Sequence, residues 1–112
     1  MISRVLVDEA LNRTQVIVTA QFSDFDEFLT SYLTDLPGGG IHLETNQLLP
    51  LGTEVKITLS LSSNGLPIVE GEGRVFKHIE ADEDSFGGME IQFKNLKEKS
   101  KVLLESLIKH YL

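Results

Sequence analysis

A chain of 112 residues, 41% of them hydrophobic, is enough for one compact core and not for two. It has no cysteine, which excludes disulfide frameworks and cysteine-ligated metal sites. The 17 acidic residues against 10 basic ones give a formal net charge of −7, a field that repels polyanions, so neither DNA nor RNA is an expected partner.

Met1 to Leu11 carries Arg4, Asp8 and Glu9 among its apolar residues, unlike a signal peptide. No apolar run approaches the ~18 residues that cross a bilayer. A cytoplasmic protein without membrane insertion is expected. Ile2 to Leu11 reads as a short helix or an extended arm, and residues 1–12 are set apart as that arm from a domain over 13–112. The first strand spans Thr14 to Phe22, with Val16, Val18 and Ala20 on one face. Ser23 to Asp26 reads as a turn, and Phe28 to Thr34, rich in β-branched and aromatic residues, as a second strand.

Asp35-Leu36-Pro37-Gly38-Gly39-Gly40 follows, where proline and three glycines exclude helix and regular strand. A tight turn results, with Gly40 expected in the positive-φ region. Such turns either bind anions through free N–H groups or serve only as bends. Ile41 to Thr45 alternates as a third strand, and Leu48 to Gly52 is an apolar connector. Val55 to Leu61 has the clearest alternation, and Asn64-Gly65 signals a hairpin into Ile68 to His78, whose Gly71 and Gly73 suggest a bulge or sharp bend. Glu80 to Asp84 lacks the spacing of a calcium loop. Gly87 to Phe93 is the last strand. Asn95 with Glu98 resembles a capping box, opening a C-terminal helix over about 96–111 in which Leu103, Leu104, Leu107, Ile108 and Tyr111 recur at helical spacing. The fold class is mainly β: a six-stranded antiparallel barrel with a C-terminal α-helix.

At these residues the chain resembles the PilZ domain, the bacterial receptor module for cyclic di-GMP. The likeness rests on Phe28-Leu29-Thr30-Ser31-Tyr32, Asp35 to Ile41, Thr45, Pro50-Leu51-Gly52, Gly71 to Val75, and Gly88 to Phe93, in that order, and covers roughly residues 13 to 110. Ligand-binding members resemble one another in an R-x-x-x-R segment before the first strand and a D/N-x-S-x-x-G turn. Guanidinium forks suit guanine edges and phosphates. In this chain the resemblance places Arg13 at the second arginine, Glu9 at the first, and Pro37 at the serine, while Asp35, Gly38, Gly39 and Gly40 keep the turn. It implies an adaptor with a degenerate nucleotide site and an unidentified protein partner, or a cyclic di-GMP receptor that uses Arg13, the turn and an arginine placed elsewhere, Arg4 or Arg74. No cofactor is implied beyond that ligand.

Arg13 is also read as an ordinary strand-edge charge, and Asp35 as a cap of its turn. His42 and His78 have no second histidine or carboxylate at ligand spacing and are read as surface residues, leaving no metal site. No serine has a G-x-S-x-G context, and no catalytic constellation emerges, so no enzyme is expected. The C-terminal helix packs on the barrel or serves a dimer interface; monomer and homodimer both stay open.

Overall fold

The computed structural model describes residues 4–9, 16–62, 65–84 and 87–111. Its elements are β1 (Arg4–Glu9), β2 (Val16–Phe22), α1 (Phe25–Ser31), β3 (Tyr32–Leu33), β4 (Gly40–Leu43), β5 (Glu54–Leu61), β6 (Pro67–Ile79), β7 (Gly88–Leu96) and α2 (Glu98–Tyr111). The protein is mainly β with a C-terminal helix. The strands form one seven-stranded sheet in the order β1-β2-β5-β6-β7-β4-β3.

Two features depart from the expected barrel. Among the described residues the sheet does not close, ending on β1 and β3. It is also mixed, because β2 runs parallel to β5 while the other neighbours are antiparallel. A parallel pair needs a long crossover, and here α1, β3 and β4 fill it.

Alternation sets the core. Val18, Ala20 and Phe22 of β2, Val55, Ile57 and Leu59 of β5, and Met89, Ile91 and Phe93 of β7 are buried on the inner face. The bend expected at Gly71 and Gly73 is present as a register shift between Glu72 and Gly73, followed by a second between Val75 and Lys77. These shifts curl β6 and β7 around the interior. Asn64 of the expected hairpin lies outside the described residues.

Three local expectations are corrected. Phe28 to Thr34 is not a strand: Phe25 to Ser31 is helical and only Tyr32–Leu33 pairs as β3. The Asp24 carboxylate accepts from the Glu27 N–H at 2.9 Å, and Glu27 Oε1 accepts from the Ser23 N–H at 2.7 Å. This reciprocal cap starts a helix whose apolar residues Phe25, Phe28, Leu29 and Tyr32 lie at i, i+3, i+4 and i+7. Phe28 is fully buried, its ring 5.4 Å from that of Phe22.

Asn95 does not cap α2. It belongs to β7 opposite Glu72, and the first helical bonds end on the Lys97 carbonyl, from Ser100 N–H at 3.0 Å and Lys101 N–H at 3.1 Å. Lys97 N–H donates to the Glu70 carbonyl, and Glu70 N–H donates to the buried Ser100 Oγ, tying the start of α2 to β6. Leu104 and Leu107 are buried, whereas Leu103 and Val102 are exposed, so Leu103 leaves the packed face; the Tyr111 side chain lies outside the described residues. The N-terminal arm is extended over 4–9, as β1.

Asp24→Ala should lower stability by about 1 kcal/mol through loss of the α1 cap, read from urea denaturation. An unchanged midpoint would contradict the cap.

Candidate functional site

The proline–glycine turn is built against β7. Pro37 fixes φ at the second position of a four-residue turn and Gly38, at φ +79°, supplies the left-handed third, the φ pattern of a type II turn. Gly39 N–H closes it on the Leu36 carbonyl at 2.8 Å. Gly39 C=O then accepts from Phe93 N–H at 3.0 Å, and Pro37 C=O accepts from the Gln92 side-chain amide at 3.0 Å. The turn is thereby pinned at two points to one strand.

Positive φ falls on Gly38 and Gly39, not on Gly40. Gly40 is in β4, and its need for glycine is steric: a Cβ there would lie 2.7 Å from the Ile91 carbonyl. At Gly39 a Cβ would lie 2.5 Å from the Tyr32 hydroxyl. Tyr32 stacks between Phe28 and Phe93 at centroid distances of 6.1 and 6.4 Å, and burial raises its phenol pKa above the ordinary 10.0.

Asp35 is exposed in the bend before the turn. Arg13 lies outside the described residues. Glu9 is described only in its backbone, facing Val16. One row of partners crosses the sheet from there: Glu9, Val16, Val55, Gly73, Phe93 and, by the bond above, Gly39. Glu9 and Val16, the strand ends on either side of Arg13 in sequence, therefore share a row with the glycine turn.

On the outer face the next row reads Glu54, Arg74, Gln92, Gly40. Arg74 Nη2 meets Glu54 Oε2 at 2.9 Å. Beside it a shallow concavity of about 330 Å³ is lined by Glu54, Lys56, Glu72, Gly73, Arg74 and Lys94. Gln92 and Tyr32 are the site residues that sequence reasoning missed. The outward phase of Gln92 in an alternating strand was visible, but its contact with Pro37, 55 residues away in sequence, was not.

Two histidines also gain partners. His42 Nδ1 lies 3.8 Å from Glu90 Oε2, a directly facing pair on β4 and β7, so the expectation of no neighbouring carboxylate is corrected. The pair is distant in sequence and adjacent only through strand pairing. His78 Nε2 bonds the Leu49 carbonyl at 2.7 Å and anchors the connector. Among the described residues no three histidine or carboxylate groups gather as a metal site.

Gly39→Ala should cost more stability than Gly52→Ala. Both positions have positive φ, at +82° and +88°, but a Cβ at Gly52 meets nothing within 4 Å. Equal urea midpoints would contradict the Tyr32 contact. A second outcome follows from the raised Tyr32 pKa. Above about pH 10 the unfolded phenol ionises first, so stability falls with pH until the folded phenol also ionises. Tyr32→Phe should flatten that fall in urea midpoints measured through this range.

No curated protein matches the chain. The PilZ domain family model matches residues 11–110, nearly the whole of it.

Proposed function

Since this chain belongs to the PilZ domain family, which is linked to cyclic di-GMP binding and signalling, we propose that it is a non-enzymatic cytoplasmic adaptor of bacterial cyclic di-GMP-linked pathways. It acts by contact with a protein partner, in motility, type IV pilus function or related surface behaviour, and its nucleotide site is degenerate. Pro37 carries this reading. At the position where the family's turn has serine, the pyrrolidine ring offers neither hydroxyl nor N–H, and the carbonyl is already held by Gln92. Gly39 N–H is likewise spent within the turn.

Glu9 at the place of the first arginine adds a carboxylate where a guanidinium would meet the ligand, on a chain of net charge −7. One lost bidentate arginine contact to guanine is worth about 1–3 kcal/mol. Isothermal titration with cyclic di-GMP should give no binding heat up to a ligand concentration of about 0.5 mM, whereas a dissociation constant near 1 μM, about −8 kcal/mol, would overturn the adaptor reading. Glu9→Arg combined with Pro37→Ser should create measurable binding. No gain would show that these two residues are not the lesions.

A second reading, a working receptor that uses Arg13 and the Asp35–Gly40 turn, is favoured by the position of Arg74. It stands opposite Gln92, which stands opposite Gly40, so its backbone is about 10 Å from the turn at two strand spacings. On this reading the titration shows binding, and Arg74→Ala abolishes it while leaving the melting temperature near that of the parent chain.

A further inference from the structure

The sheet has two free edges among the described residues, and they are unequal. β3 is two residues long, too short to template another strand. β1 pairs with β2 through six consecutive positions, from Arg4 with Gln21 to Glu9 with Val16. It contains no proline and no bulge, two of the devices that blunt an edge, and its charges are Arg4, Asp8 and Glu9. Val5 and Val7 lie half-buried against the core. An unbroken, apolar-centred edge of this length is a surface for strand addition.

Symmetry restricts what a second copy can do there. Two identical strands joined antiparallel in one continuous sheet are related by a two-fold axis perpendicular to it, and the contact is isologous. That axis keeps each residue on its own face, while directly opposed residues must share a face. Each facing pair must therefore have residue numbers of equal parity, and the axis must pass midway between the two copies of one residue. Of the central residues Val5 to Asp8, Asp8 as the centre would set its carboxylate against its own copy, which leaves three.

Centred on Val7, Leu6 would face Asp8 and Val5 would face Glu9, setting apolar positions against carboxylates. Centred on Val5, Arg4 would face Leu6 and Asp8 would find no position within β1. Centred on Leu6, Arg4 faces Asp8 twice, Val5 faces Val7 twice, and Leu6 faces itself. Within positions 4 to 8 each charge stands opposite its counter-charge and each apolar residue opposite an apolar one, and Glu9 falls beyond them. The same five positions are used by both copies. The match belongs to the second copy and not to the chain's own sheet, where Arg4 faces Gln21 and Asp8 faces Ile17.

We infer that the free edge of β1 pairs with β1 of a second copy, antiparallel and centred on Leu6, with Arg4 of each copy opposite Asp8 of the other. The two Arg4–Asp8 pairs lie where two acidic molecules meet and offset the repulsion between their net charges. Joining the sheets also sets Val5 beside Val7 of the second copy along the core-facing side.

Sedimentation equilibrium of the 112-residue chain at low salt should show a monomer–dimer equilibrium. Arg4→Asp places like charges opposite each other at two symmetric positions and should weaken the dimer about tenfold or more. Arg4→Asp with Asp8→Arg restores both pairs in reversed sense and should return the dissociation constant to near its original value. Within the sheet Arg4 pairs with Gln21 and Asp8 with Ile17, so thermal melts by circular dichroism should stay close to the parent. A chain that is monomeric at every concentration overturns the inference. So does a dimer indifferent to Arg4→Asp, which would use another surface, or one that the paired exchange fails to restore.

Discussion

Seven consecutive residues of β2 run parallel to seven of β5, and this pairing dictates where everything between them can go. A hairpin cannot join parallel neighbours. The intervening chain must leave β2, travel, and return beside it in the same direction. On the way it forms α1, seats Phe28 over Phe22, and reaches β7 on the other side of the sheet. The proline–glycine turn lies on that detour. Its attachment to Gln92 and Phe93 follows from the crossover as much as from its own residues.

The strands with one buried and one wet face were legible in sequence. β5 and β7 announce themselves by strict alternation, and the glycines of β6 announce its bend. α1 was hidden because Thr30, Tyr32 and their neighbours favour strand locally, while the signals for helix, an Asp24–Glu27 cap and apolar residues at i, i+3, i+4 and i+7, compete with that propensity and win once Phe28 is buried. Asn95 misled in the opposite sense. Its cap-like spacing to Glu98 is real, but pairing with Glu72 keeps it in β7. No periodicity encodes whether two strands run parallel, so the mixed character of the sheet could not be read at all.

For the site, proline and glycine revealed the turn and placed it correctly, yet they misassigned the reason for Gly40. Alternation does not report that a backbone carbonyl of β7 lies where a side chain would start. Arg74 was named without a location. Its place beside Gln92 comes from ladder register, which also sets it against Glu54. Exposed ion pairs of that kind contribute little to stability. The Glu54 contact is therefore a weak restraint on Arg74, and an anion with better geometry would displace it at small cost.

The crossover also bears on synthesis. Each residue of β2 pairs with one thirty-nine positions downstream, Val16 with Val55 and Phe22 with Leu61. At roughly 5–20 residues per second, a ribosome needs about 2–8 s to deliver that distance. During this interval β2 has β1 on one side and nothing on the other, with Phe22 awaiting its cover. The nascent chain thus carries an apolar, half-paired ribbon until β5 emerges, and the curled, open sheet is completed only as the last strand and α2 leave the exit tunnel. Translation speed through residues 23–61 becomes a determinant of how much of this protein folds and how much aggregates.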